Sequence, residues 1–224
     1  PGETIAMVGP TGAGKTTTVE MLEGMRDPDS GVALINGIDV TREPMRVKKI
    51  IGVQLQANAF FDRLTLSELL KLFGTLYGHR VSPQDLLDRV DLGDRGKSQF
   101  KTLSGGQKQR FSIAAALVNE PVLMFLDEPS TGLDPQARRN MWELIRGLQA
   151  DGTTVMLTTH YMEEAEELCD RVAIVDSGRI VALDTPLALV DGLLETGFRN
   201  KRPTREATLE DVFISITGRA LRDE

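Results

Sequence analysis

Short unbroken apolar runs, separated by longer stretches with helical spacing, set the pattern of this chain. Thr4-Ile5-Ala6-Met7-Val8, Ile50-Ile51-Gly52-Val53, Val122-Leu123-Met124-Phe125-Leu126 and Thr154-Val155-Met156-Leu157 carry mostly apolar residues without alternation. That is the mark of strands covered on both faces, as in a parallel sheet. Between them the period changes. Residues 17–23 hold no helix breaker and residues 44–49 predict a helical turn. Thr65-x-x-Glu68 is a capping box, and Leu66, Leu69, Leu70, Phe73 and Leu76 fall at i, i+3, i+4, i+7 and i+10, which predicts one apolar stripe on a helix. A second helix is expected after Ser82-Pro83, with Leu86, Leu87 and Val90 inward and Gly93 past its end. Residues 135–148 and 162–169 read as helices flanking the later strands.

Two places call for antiparallel pairing. Gly31-Val32-Ala33-Leu34-Ile35-Asn36-Gly37 reads as a strand ending in an Asn-Gly turn, a small antiparallel patch. Residues 171–175 and 180–183, joined by Asp176-Ser177-Gly178-Arg179, read as a hairpin. The polar, glycine-containing stretch 191–205 is expected to be a loop and residues 209–216 a closing helix. The order of elements predicts an α/β fold: a core of mainly parallel sheet, with a small antiparallel patch and an inserted helical lobe. A single domain is expected, with residues 1–59 and 122–190 as core, 60–121 as lobe and 191–224 as tail.

Composition narrows the function classes more than the fold. The chain has 224 residues, 41% hydrophobic and 26% charged, ordinary for a globular protein. Its net charge of −7 argues against a nucleic-acid partner. The single cysteine, Cys169, excludes an internal disulfide and is read as a small buried residue. No apolar run reaches the roughly 18 residues that a membrane-spanning helix needs, and no basic-then-apolar leader is seen, so the polypeptide is expected to be soluble. It starts at Pro1-Gly2 without an initiator methionine, which suggests a cut or processed chain.

The chemistry begins directly after the first strand. Gly9-Pro10-Thr11-Gly12-Ala13-Gly14-Lys15-Thr16 fits G-x-x-x-x-G-K-[ST] between a strand and a helix, so the α/β core is expected to be a P-loop NTPase core. Glycines let successive N–H groups face an anion, the helix adds the positive end of its dipole, and Lys15 supplies a full charge. The expected ligand is a nucleotide triphosphate, with Thr17 beside it and the Thr16 hydroxyl on Mg²⁺. A glycine turn that binds nothing is the bland alternative. The apolar run 122–126 ends in Asp127-Glu128, two carboxylates at a strand's carboxyl end, where ligands sit in open α/β sheets. Asp127 would assist Mg²⁺ and Glu128 would face the attacking water; alone, the pair could be polar residues ending a buried strand.

Leu103-Ser104-Gly105-Gly106-Gln107 opens a further helix, and Ser104-x-x-Gln107 is itself a capping box. With this pentapeptide the chain resembles the nucleotide-binding domains of ATP-binding cassette (ABC) transporters, whose signature it matches at every position. The resemblance runs over essentially the whole chain: phosphate loop, a glutamine loop at Gln56, signature, the Asp127-Glu128 strand, Thr131-Gly132-Leu133-Asp134, and a switch histidine, His160, in Leu157-Thr158-Thr159-His160. It implies that Gln56 helps ligate Mg²⁺ and links core to lobe, with Gln54 the competing choice; that Glu128 is the general base; and that His160 contacts the γ-phosphate. Asp134, followed by Pro135, is also a good helix cap, and could serve as cap and interface residue together. The resemblance further implies transmembrane permease partners, a place at the cytoplasmic face of the membrane, and a homodimer in which Ser104, Gly105, Gly106 and Gln107 of one chain cover ATP held by Lys15 of the other.

Residues 159–166 and 208–213 look most like exporter ATPases of the daunorubicin-resistance type. A soluble ABC ATPase acting on DNA or ribosomes is the alternative within the family, and a P-loop kinase or non-hydrolysing switch the alternative outside it. The run Glu163-Glu164-Ala165-Glu166-Glu167 is read as a solvated helix face without chemistry; Met141 and Trp142 are expected to pack. Two departures stand out. The family's adenine-stacking aromatic lies upstream of its phosphate loop, and no residue here can take that role; since such stacking is worth roughly 1–3 kcal/mol, weaker ATP binding is expected than in an N-terminally extended version. Ser130-Thr131 stands where many relatives have Thr-Ser, which keeps both hydroxyls.

Overall fold

The computed structural model describes residues 2–54, 60–198 and 208–217. Its strands are β1 (Thr4–Val8), β2 (Leu34–Ile35), β3 (Ile38–Asp39), β4 (Ile51–Gln54), β5 (Leu123–Asp127), β6 (Thr154–Thr159), β7 (Arg171–Asp176) and β8 (Arg179–Asp184). The helices are α1 (Lys15–Leu22), α2 (Pro44–Lys48), α3 (Leu66–Tyr77), α4 (Pro83–Asp88), α5 (Gly105–Ala116), α6 (Pro135–Ala150), α7 (Met162–Leu168), α8 (Pro186–Glu195) and α9 (Leu209–Thr217). Six strands form one sheet in the order β4-β5-β6-β1-β7-β8, parallel except for the β7–β8 hairpin, and β2 and β3 form a separate antiparallel pair.

Covered strands need apolar side chains on both sides, and the two sides go to different clusters. Ala6, Val8, Met124 and Leu126 join the larger core, whereas Met7 and Phe125 between them join the smaller one around Val19, Val47 and Val175. Period-two alternation is therefore present, but both phases are apolar, which is why the runs looked unpatterned.

Helices α3, α4 and α5 form the lobe inserted between β4 and β5. Its larger-core members Leu66, Leu69, Leu70, Leu87 and Phe111 are buried, and the Phe60 ring packs at centroid distances of 4.6 Å on Phe100 and 5.2 Å on Phe111. The lobe is pinned to the sheet by the buried Asn119, whose Nδ2 donates to the carbonyls of Lys49 (3.0 Å) and Ile51 (2.9 Å). Beside it α5 comes so close that a Cβ on Gly52 would lie 2.5 Å from the Ala116 carbonyl oxygen.

Three expectations are corrected. Leu76 is 72% exposed, because the stripe on α3 drifts off the core after Phe73. Residues 191–195 are not loop but the second half of α8, which begins at Pro186 with the Thr185 hydroxyl accepting from Ala188 N–H; residues 199–205 lie outside the described residues. The strand expected over 31–37 shrinks to Leu34–Ile35. The capping boxes at Thr65–Glu68 and Ser104–Gln107 are both formed, and α9 matches the closing helix.

Candidate functional site

The sheet order places the carboxyl ends of β5, β6 and β1 side by side, with Asp127 opposite Thr158 and Val8 opposite Thr159. The loop after each strand carries one part of the predicted site. After β1, Gly9 lies against β7; a Cβ there would meet the Val175 carbonyl oxygen at 2.3 Å, so only glycine lets the loop leave the strand here. Ala13 N–H donates to the Pro10 carbonyl at 3.1 Å, and Gly178 N–H in the β7–β8 turn donates to the Ala13 carbonyl at 2.9 Å. Gly14, at φ 103°, turns the chain into α1, whose first N–H groups receive no side-chain cap. Uncapped donors at a helix start are ready acceptance points for an anion.

Lys15 Nζ donates to the carbonyls of Gly9 (2.7 Å) and Pro10 (3.1 Å), folding back over its own loop. Burial pulls its pKa down, while the charges of Glu128 and Asp127 push it up. Its ammonium is thus within the field of both carboxylates. Thr11, Gly12 and Thr16 are exposed, and Thr17 is half-buried.

After β5, Asp127 Oδ1 accepts a short hydrogen bond from the Thr158 hydroxyl of β6. Glu128 adopts φ 48°, left-handed for a residue with a side chain, a conformation that persists only where its surroundings enforce it. Its N–H donates to the Thr158 carbonyl (3.1 Å) and lies 3.2 Å from the Thr158 hydroxyl, and Thr131 Oγ1 donates to its Oε2 at 3.1 Å. Its other oxygen, Oε1, stands 3.3 Å from His160 Nδ1. The His160 ring packs at 4.1 Å on Tyr161, whose ring in turn lies 4.6 Å from the Arg138 guanidinium. Lys15, Asp127, Glu128 and His160, distant in sequence, are brought together.

The signature residues are elsewhere. Ser104, Gly105, Gly106 and Gln107 line a cleft of about 230 Å³ with Gly132, Leu133 and Asp134, and no phosphate-loop residue lines it. Ser104 Oγ accepts from Gln107 N–H at 3.3 Å while Gln107 Oε1 accepts from Ser104 N–H at 3.0 Å. Asp134 Oδ1 accepts from the N–H groups of Gln136 (3.0 Å) and Ala137 (2.9 Å), so it caps α6 as its sequence context suggested. Gln56 lies outside the described residues. Gln54 ends β4 and is buried.

Sequence reasoning gave no role to Thr158, which bonds both carboxylate residues, although two threonines between an apolar strand and a histidine were a visible signal. It also misread one glutamate and passed over another. Glu164, in the run taken as a solvated face, is fully buried and accepts from Trp142 Nε1 at 3.1 Å. Glu23, after α1, is 97% buried in relative terms and lines an apolar groove of about 410 Å³ between core and lobe, with Phe60, Phe73 and Ser112 among its walls. Burial, then the charges of Asp127 and Glu20, push its carboxyl up to about 7. Met141 and Trp142 pack as expected, and burial pushes the Cys169 thiol up, as befits an inert residue.

Hard oxygen donors suit Mg²⁺, and the Asp127 carboxylate, whose charge acts on Lys15, and the hydroxyl of the exposed Thr16 are donors of that kind. Among the described residues no cluster of three His, Cys, Asp or Glu could hold a metal alone.

Residues 1–131 match the family model described as ABC transporter. The chain is 44% identical over 189 residues to the daunorubicin/doxorubicin resistance ATP-binding protein DrrA of Streptomyces peucetius, covering 82% of this chain and 57% of that protein. It is 34% identical to a Nod factor export ATP-binding protein I of Cupriavidus metallidurans, covering 100% of this chain and 91% of that protein. Several of these relatives are longer: the chain spans 57 to 64% of the length of the first three. Among solved structures it superposes on the ATP-binding subunit of an ABC transporter with TM-score 0.80, 30% identity, and coverage of 96% of this chain and 88% of that one. It also superposes on an ATP-binding cassette captured as a dimer in a post-hydrolysis state with ADP and Pi, with TM-score 0.73, 26% identity, and coverage of 82% and 85%.

Proposed function

The chain belongs to the ABC transporter family, and on that premise we propose that it binds ATP with Mg²⁺ and hydrolyses it to power a membrane exporter. The observation that carries the proposal is the convergence of Lys15, Asp127, Glu128 and His160 at three adjacent strand ends. A phosphate cradle alone would serve a switch or a kinase; a carboxylate fixed by Thr131 and set against His160 is what water attack requires.

In this reading Lys15 leaves the Gly9 and Pro10 carbonyls for the β- and γ-phosphates, exchanging two neutral acceptors for charged ones. Glu128 takes the proton of the attacking water on the carboxylate that Thr131 and His160 orient. His160, positioned through Nδ1, presents its ring toward the γ-phosphate. Thr16 and Asp127, with Gln56, would hold Mg²⁺, which supplies positive charge against that developing on the phosphate oxygens. The Ser104 hydroxyl accepts from Gln107 but keeps its own proton to donate, and the N–H groups of Gly105 and Gly106 start a helix.

Because the signature cleft and the phosphate loop are separate in one chain, the complete site is proposed to form between two copies related by a two-fold axis, each covering the other's ATP. Hydrolysis then releases the pair, coupling chemistry to motion. Among the described residues no helix is long and apolar enough to cross a membrane; attachment to the cytoplasmic face would run through permease subunits docked on the helical lobe. Relatives named for drug resistance and Nod factor export favour this over an ATPase acting on DNA or ribosomes.

Steady release of phosphate from ATP tests the reading. Glu128→Gln should lower turnover by about 100-fold or more while nucleotide binding persists, since a general base contributes about 10²–10⁴-fold. Wild-type turnover in that variant would remove Glu128 from the role.

A further inference from the structure

Thr158 has no part in the mechanism above, yet its side chain bonds both carboxylate residues of the site. It lies on β6 between β5 and β1, paired with Asp127 on one side and Met7 on the other, and it is buried. Paired residues of neighbouring strands point to the same face of a sheet, so the register alone brings the side chain at 158 against the carboxylate at 127. Burying a hydroxyl is unfavourable unless it is hydrogen-bonded, and a valine would fill the same space without that cost. The hydroxyl here is used. It donates to Asp127 Oδ1, and the Glu128 N–H lies 3.2 Å from its oxygen and 3.1 Å from the Thr158 carbonyl. A hydroxyl has one hydrogen and two lone pairs; with an N–H presented to the oxygen, the hydrogen is left to point at the carboxylate. The bond is thus fixed in sense, and donation to an ionised carboxylate makes it a strong one.

We infer that Thr158 is a positioning residue for the Asp127 carboxylate: by holding Oδ1 it fixes the rotation of the carboxyl group about its Cβ–Cγ bond, and so sets where Oδ2 points for a divalent cation. The inference rests on the reading of Asp127 as an oxygen donor toward Mg²⁺. The terminal torsion of an aspartate is broad, so an untied carboxylate turns readily, and Mg²⁺ demands near-ideal octahedral geometry. Partners that hold a metal-directed side chain in place are typically worth roughly 10–100-fold in metal affinity or activity. A hydroxyl that merely satisfied a buried neighbour would change stability and leave the cation's affinity alone.

The test separates the cation from the nucleotide. Mn²⁺, standing in for Mg²⁺ and read by electron paramagnetic resonance, is titrated into the chain saturated with ADP, which cannot be turned over; ADP affinity without metal is measured by calorimetry. In Thr158→Val, which keeps the shape and suits a strand, Mn²⁺ affinity should fall about tenfold or more while metal-free ADP affinity stays within about twofold. Thr158→Ser keeps the hydroxyl and should bring Mn²⁺ affinity back to within about threefold of the wild type. Unchanged Mn²⁺ affinity in a folded Thr158→Val would overturn the inference, as would a serine variant that restores nothing. A loss of metal-free ADP affinity as large as the loss for Mn²⁺ would mean a distorted cradle and overturn it too. Should the valine variant not fold, Thr158→Ala decides in the same way: a weakened cation supports the tie and an unweakened one refutes it. Asp127→Asn marks the boundary with the proposed function. If that substitution leaves Mn²⁺ affinity unchanged, the reading of Asp127 fails and the inference with it; a loss in Asp127→Asn but none in Thr158→Val defeats the inference alone.

Discussion

Replacing Glu23 with glutamine should change how stability depends on pH, and the size of the change follows from where the carboxyl sits. In the folded chain burial, together with the charges of Asp127 and Glu20, pushes its carboxyl up from an ordinary 4.5 to about 7. The folded form therefore holds a proton that the unfolded chain has already released in that interval. Stability from this group is fully present below the unfolded value and is lost as pH rises through the folded one. A gap of about 2.5 pH units corresponds to about 3 kcal/mol at 1.36 kcal/mol per unit, and as Glu23 lines an open groove, about 1–3 kcal/mol is the working range. Glutamine is neutral throughout and removes the slope. Thermal unfolding at about pH 5 and about pH 8, without nucleotide or metal, should show the variant gaining on the wild type by roughly 2–12 °C between the two, at about 2–4 °C per kcal/mol for a chain this long. Equal pH dependence in both proteins would refute the reasoning.

Other perturbations have equally direct expectations. Gly9→Ala forces a methyl to 2.3 Å from the Val175 carbonyl; it should destabilise by about 1–3 kcal/mol, as overpacking does, and weaken ATP binding, both readable by unfolding with and without nucleotide. Asn119→Leu leaves the carbonyls of Lys49 and Ile51 without this donor, which should cost about 2–6 kcal/mol by denaturant titration, with each stranded acceptor worth about 1–3 kcal/mol. Lys15→Ala should lower nucleotide affinity, measured by calorimetry, with little effect on melting in the absence of ligand, since Lys15 bonds only its own loop there.

Local chemistry was readable from sequence; convergence was less so. The phosphate loop, both capping boxes and the β7–β8 hairpin are each written in a few consecutive residues, and each formed where expected. The neighbourhood of Glu128 and His160 required β5 and β6 to be adjacent and parallel, which chain order alone could only suggest. Thr185-Pro186 was a start signal for α8 that the glycines of 191–205 obscured. Glu164 was hidden by its company: four acidic residues in five look solvated, yet Glu164 lies four residues before the buried Leu168 and next to the buried Ala165, on the inward side of α7. Glu23 gave no signal at all, because the groove it lines with Phe60, Phe73 and Ser112 is assembled from segments far apart in the chain.

The composite site is the claim on which the account turns, and mixing two disabled chains tests it most directly. Lys15→Ala loses the cradle but keeps its signature; Gly105→Glu places a negative charge at the signature, where no atom crowds an added side chain, but keeps its cradle. Neither alone should hydrolyse ATP. Mixed in equal amounts they should recover about a quarter of the wild-type rate, because half the pairs are mixed and each holds one intact site of two. A mixture as inactive as its parts would contradict a site shared between two copies of the chain.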